Sequence, residues 1–269
     1  MLSKINSDNL NLKQQNNHSS NTIKKLYNHK KDLIKKGFDG GCLYFTKKIM
    51  DTLIINDLNL INIIDKNSIA NIQIAAKQTI KNNKKLKQKK LELIYLNENN
   101  FKKLKPELQS NNHIILIKEG YNAAFFAKAN KIFMPEKNLQ LSVFHEIGHA
   151  INYNCSKLWQ KLYGISNLSS PLTYFAFSTQ LFKNNKNEEK KSSKKEAFIS
   201  TSPLLPNLLE EGLASIKGEY EAKKLLSKDL YKKIIKNNGL SFLAYLLKYG
   251  FTYITFKMFF DLKNLIQKK

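Results

Sequence analysis

The sequence predicts an α+β fold: a small mixed or antiparallel sheet packed on one chemically loaded helix, followed by a mainly helical C-terminal half. Three observations carry this. Short apolar runs bounded by turn residues cluster between residues 91 and 134, with the length and composition of strands. Apolar residues recur at helical spacing on both sides of that block. Between the sheet block and the C-terminal half lies Phe144-His145-Glu146-Ile147-Gly148-His149-Ala150, whose two imidazoles stand four residues apart and so share one face of a helix.

In chain order, residues 1–22 are a polar, low-complexity lead-in expected to be disordered. Residues 23–90 form a helical N-terminal region. Its apolar positions include Leu53, Ile54, Leu58, Ile61 and Ile64, and residues 67–90 run from an Ala- and Ile-containing helix into a lysine-dense solvated end. Residues 91–96 and 113–118 read as strands, with a short helix over 101–108 between them. Residues 122–127 and 131–134 read as two more, joined by a turn of hairpin length. Pro135 ends the last strand, and Asn138 is placed to cap a helix over about 139–152.

The helical pattern continues over 156–163 and breaks at Ser169-Ser170-Pro171. Residues 183–197, mostly Lys, Glu, Ser and Asn, read as an exposed insertion. Asn207 caps an amphipathic helix through Leu208, Leu213, Ile216 and Tyr220, and a second helix over about 227–236 is stopped by Asn237-Asn238-Gly239. The histidine-bearing domain therefore spans 91–269. Its apolar segment 240–262 is long enough to cross a membrane, but Lys248 and Lys257 fall on opposite sides of it and Gly250 interrupts it. A core helix, or a pair jointed near Gly250, is expected, with peripheral or C-terminal membrane association as the alternative.

Composition narrows the function classes. The net charge of +24 invites a nucleic-acid reading, but all 45 basic residues are lysine. Arginine supplies the bidentate and stacking contacts of phosphate and base readout, so no dedicated nucleic-acid binding is expected. The charge attracts polyanions non-specifically at most. Two cysteines, Cys42 and Cys155, make no disulfide framework, and the N-terminus carries no apolar run of signal-peptide type. A cytoplasmic setting follows, with a membrane-associated one as the alternative.

The histidine pair reads as a zinc site. His145 and His149 reach one ion from a single helix face, while Glu146, offset by one residue, is placed to act on a metal-bound water as a general base. A third ligand is found by elimination. The other histidines, His18, His29 and His113, all precede the motif, so none follows it. Asp229 and Asp261 are lysine-flanked, and Glu188, Glu189 and Glu196 fall in the low-complexity insertion. Of Glu210, Glu211, Glu219 and Glu221 on the later helix, Glu211 precedes Gly212, where a small residue permits close packing, and is the chosen ligand.

His145-Glu146-Ile147-Gly148-His149, followed some sixty residues later by Glu210-Glu211-Gly212-Leu213-Ala214-Ser215, resembles the gluzincin metallopeptidases, including the thermolysin-like and aminopeptidase-type enzymes. The resemblance implies a zincin-like fold, zinc held by His145, His149 and Glu211, and Glu146 as the base. Ser215 would support the ligands, in the manner of the aminopeptidase branch. It implies a peptide or protein substrate aligned on a free strand edge, which 122–126 or 131–134 would supply. It also implies a donor for the developing oxyanion, for which Tyr249 or Tyr253 is the candidate. The alternative from another class is a catalytically silent zinc-binding protein that uses its basic surface as an interaction module.

Overall fold

Asp65 opens the first helix of the computed structural model, which describes residues 64–137, 139–183 and 192–267. The expectations for the lead-in, for the apolar positions before residue 64, for Asn138 as a cap, and for Glu188 and Glu189 lie outside the described residues. Helix α1 (Lys66–Asn82) is capped by the Asp65 carboxylate, which accepts from Ser68 N–H at 2.8 Å. It buries Ile72, Ala75, Ala76 and Thr79 along one face. Asn83 then caps the short α2 (Lys84–Gln88), the lysine-dense end foreseen from the sequence.

The sheet has three strands, β1 (Glu92–Leu96), β2 (Ala124–Phe126) and β3 (Lys131–Pro135), in the order β1-β3-β2. β1 runs parallel to β3 and β2 antiparallel to it, so the sheet is mixed and β3 is central. The chain crosses between β1 and β2 through α3 (Glu98–Lys102), α4 (Pro106–Gln109) and α5 (Asn112–Lys118). Two expectations are corrected. The single helix over 101–108 is two short ones, with Pro106 in the first turn of the second. Residues 113–118, expected as a strand, are helix α5. A run of four aliphatic residues fits either structure. Here the Asn111 side chain caps the N-terminus, accepting from His113 N–H at 2.9 Å, and Gly120 takes a left-handed φ of 88° just past the end. Ile114 and Ile117, one turn apart, pack on Phe133 across one face of the sheet. The opposite face carries Ile132, Met134 and Phe125 into the main core.

After a 3-10 turn (Gln140–Ser142), α6 (Val143–Cys155) carries the histidine motif, and α7 (Lys157–Phe182) follows at once. Pro171 does not break α7, contrary to expectation. Proline costs the helix one backbone hydrogen bond, and the hydroxyls around it turn inward to carbonyls, Ser169 to Ser166 at 2.6 Å and Thr173 to Ser169 at 2.7 Å. Residues 192–197, the described end of the expected exposed insertion, are not all exposed either. They open α8 (Ser193–Thr201), in which Glu196 is only 1% exposed and meets Lys263 at 3.5 Å. A charged composition concealed a buried ion pair.

A 3-10 turn (Ser202–Leu204) leads into α9 (Leu205–Leu225), and the chain ends in α10 (Lys228–Gln267). α9 begins before Asn207, which lies inside its first turn instead of capping it. α10 is one helix of 40 residues, neither stopped at Gly239 nor jointed at Gly250. Asn237 and Asn238 read locally as a stop but are buried, and Asn237 donates to Ser142 Oγ at 3.4 Å. Packing outweighs the roughly 1 kcal/mol that a helical glycine costs. Among the described residues, no helix is long and apolar enough to cross a membrane.

The contact that positions everything near the motif is the crossing of α6 on α9. A β-carbon on Gly148 would lie 1.9 Å from the Ala214 carbonyl oxygen, and one on Gly218 would lie 2.1 Å from that of Phe144. The helices run antiparallel and touch backbone to backbone at both points. Gly218→Ala is therefore expected to destabilise the protein by at least the ~1–3 kcal/mol typical of overpacking, because the obstacle is backbone and not a movable side chain. Urea denaturation beside Gly239→Ala, which meets nothing within 4 Å, checks this; equal midpoints would contradict it.

Candidate metal centre

The antiparallel crossing brings α6 and α9 together in register, so that two turns of one face two turns of the other. His145 Nε2 and His149 Nε2 point at each other, 2.9 Å apart. Glu211 Oε2 completes a triangle with them, 3.1 Å from the first and 3.6 Å from the second. A tetrahedral ion with ligand bonds of ~2.0–2.1 Å requires donor atoms about 3.3 Å apart, and these three distances straddle that value. His149 and Glu211 are buried, and His145 is nearly so.

The outer ring nitrogens fix the tautomers. His149 Nδ1 lies 2.7 Å from the Glu210 carboxylate, which can only accept, so the proton sits on Nδ1. The Ser215 hydroxyl donates to the Glu211 main-chain carbonyl at 3.0 Å and so accepts from His145 Nδ1, also at 3.0 Å. Both Nε2 atoms are thereby left as lone pairs facing a third acceptor, the Glu211 carboxylate. Three acceptor atoms gathered in a buried spot repel one another unless a proton or a metal ion lies among them, and the donor set of two imidazoles and a carboxylate suits a divalent transition-metal ion. Among the described residues, the side chains able to hold a metal form two overlapping groups, His145-Glu146-His149 and His149-Glu210-Glu211.

Electrostatics agree with the geometry. Burial pulls the His149 imidazole down, but its hydrogen bonds to Glu210 and Glu211 outweigh this and raise its pKa well above the ordinary histidine value. Burial alone would raise Glu211, yet hydrogen bonds from His145 and His149 carry it well below the usual carboxylate range. Glu146 moves the other way, raised chiefly by burial against the opposing pull of His149 and His145. One of its oxygens, Oε2, accepts the Phe125 backbone N–H at 2.8 Å.

The structure brings His145, His149, Glu146 and Glu211 into one cluster. It adds three residues that the sequence did not single out for this cluster. Glu210 orients His149; its neighbour Glu211 drew attention because of Gly212, and nothing local distinguishes a supporting carboxylate from a ligand one residue away. Tyr245 feels the Glu211 carboxylate, and its pKa is raised by burial and then by that carboxylate. Tyr249 and Tyr253, the expected oxyanion donors, follow it by one and two turns on α10, both half-buried. The Phe242 ring packs 3.2 Å from where a Gly212 β-carbon would be, which sets the register of α10 on α9 and brings forward the earlier tyrosine. Tyr163 is the third, its ring edge-on to Phe125, to Tyr153 and, at 6.3 Å between centroids, to His149.

Of the two strands expected to offer a free edge, β3 has partners on both sides, leaving β2. His113 lies exposed on α5, away from the described cluster. No family model, curated protein or solved structure matches this chain.

Two outcomes follow from the supporting bonds. Glu210→Gln keeps the shape but loses the carboxylate behind His149, and metal affinity is expected to fall about 10–100-fold, as measured by competition with a chromophoric chelator. Because the metal-free His149 holds its proton above the ordinary histidine pKa, metal uptake releases that proton. Affinity then declines about tenfold per unit as pH falls below the raised value, and titration at pH 6 and 8 measures the slope.

Proposed function

We propose that this protein is a zinc-dependent peptidase of the gluzincin type, built on a zincin-like fold and acting on peptides or proteins. The observation that carries the reading is the convergence of both Nε2 atoms with the Glu211 carboxylate, beside a second carboxylate, Glu146, close enough to act at the same ion. His145, His149 and Glu211 would hold the ion. When bound, zinc polarises a carbonyl oxygen and makes a water acidic near neutral pH, with a pKa of ~7.

The remaining steps belong to the chain. Glu146, with Oε2 anchored on the Phe125 N–H, presents its other oxygen to take the proton of the attacking water. Its raised pKa suits it to hold that proton and then to deliver it to the leaving amine, which breaks the C–N bond. Tyr245, whose pKa the Glu211 carboxylate raises, is the hydroxyl we assign to donate to the oxygen on which negative charge develops, the role expected of Tyr249 or Tyr253. Glu210 and Ser215 hold the imidazoles in the tautomers that leave Nε2 free.

The test is metal analysis together with turnover of a peptide library. Wild-type protein is expected to hold one zinc per chain and to cleave. Glu146→Gln is expected to keep the zinc and lose about 10²–10⁴-fold in rate, the usual worth of a general base. Absence of stoichiometric zinc would remove the centre, and full activity in the variant would remove Glu146 as base. Zinc retained by a wild-type protein that cleaves nothing would favour the silent metal-binding module.

A further inference from the structure

β2 is the edge strand nearest the centre, and its outward side is already in use. In an antiparallel pair, alternate residues turn both backbone groups toward the partner or both away from it. Phe125 stands opposite Ile132 and is one that turns away. Its N–H goes to Glu146 Oε2 at 2.8 Å and its carbonyl accepts the Tyr163 hydroxyl at 3.0 Å. In a strand of three residues, this leaves Phe125 as the outward-facing member, with both groups committed. The two commitments differ in kind. Glu146 on the N–H is useful to the reaction, since it fixes the base. Tyr163 on the carbonyl has no such use, and it occupies the acceptor that an extended peptide needs when it adds to a sheet edge through its own N–H.

We propose that Tyr163 is a specificity-determining residue that competes with substrate: its hydroxyl stands in for a peptide N–H on the Phe125 carbonyl, and a bound peptide backbone displaces it. The inference rests on the peptidase reading for the identity of the ligand, an extended peptide with a free backbone N–H beside the scissile bond. The incoming peptide nitrogen takes the place that the Tyr163 oxygen holds on the carbonyl, so the exchange needs the Tyr163 side chain to swing off its edge-on contacts with Phe125 and Tyr153. Peptides lacking that N–H, through proline or N-methylation, cannot make the exchange and are poor ligands.

The experiment uses the zinc-loaded full chain and the variant Tyr163→Phe, which keeps the ring contacts. Zinc content and thermal midpoint are measured first; zinc content is expected to be unchanged, and the midpoint to fall by only the few degrees that loss of one ~1 kcal/mol hydrogen bond implies. Freeing the carbonyl should lower KM for a cleaved peptide about fivefold, the equivalent of one hydrogen bond of ~1 kcal/mol, with kcat unchanged. A fall in kcat at constant KM would make Tyr163 a catalytic residue and overturn the proposal. Unchanged kinetics would reduce it to packing and overturn it equally.

A second measurement does not depend on turnover. A peptide hydroxamate and its N-methylated counterpart are titrated calorimetrically into wild type and variant. The parent is expected to bind wild type more tightly than the N-methyl compound does, and it alone should gain from Tyr163→Phe. Equal responses from the two compounds, or no binding of either, overturn the role of Tyr163. A zinc-loaded wild type that cleaves no peptide overturns the peptidase reading instead, and the titration still decides this inference.

Discussion

Backbone contact between α6 and α9 is the constraint on which the centre depends. Helix axes normally stand 8–10 Å apart, separated by side chains. Here Gly148 and Gly218 remove the side chain at the two crossing points, and each helix lies against a carbonyl of the other. This closeness lets a carboxylate with a short reach, Glu211, arrive at the same spot as two imidazoles on the neighbouring helix. It also places Glu210 and Ser215 directly behind those rings. A wider separation would break the ligand triangle and both supporting bonds together, so the two glycines are as much a part of the chemistry as the histidines.

The rest of the fold serves to hold that pair. The sheet buries Ile132 and Met134 beneath α6, with α1 and α2 packed into the same core. Phe125 joins this core through its ring and the centre through its backbone N–H, so the sheet and the Glu146 carboxylate are tied together at one residue. On the other side, α10 lays Phe242 against Gly212 and so presents Tyr245. At its far end, Phe256 and Phe260 close on Phe177 of α7, beside the buried Glu196–Lys263 pair.

The sequence made the motif helix and the strands near 92–96 and 131–135 legible, because each rests on local spacing, and a short list of available carboxylates pointed to Glu211, which the fold brings beside the histidines. What it hid was decided by distant partners. Residues 113–118 have the composition of a strand and became a helix through a cap at Asn111 and a left-handed Gly120. Pro171 and Asn237-Asn238-Gly239 look like breaks, but hydroxyl bonds to carbonyls within the helix accompany the first and a contact with Ser142, 95 residues away, holds the second. Tyr245 could not be told from Tyr249 or Tyr253, since the three recur every fourth residue along one helix and only tertiary contacts such as that of Phe242 with Gly212 distinguish them. Glu196 looked like part of a solvated run, because its partner Lys263 lies 67 residues away.

The glycine crossing also sets where this chain can change in length. The path from His149 to Glu211 runs through α7 and α8 and includes the lysine-rich stretch 184–191. In general, lengthening a flexible connection costs little, about 0.6 kcal/mol for each doubling of its length. The seven-residue step from Glu211 to Gly218 is a different matter. Inserting or deleting one residue there turns everything beyond it by roughly 100°, so that either the carboxylate leaves the imidazoles or the glycine leaves the crossing. Variation between descendants of this sequence should accumulate in the connection, while those two helical turns keep their count.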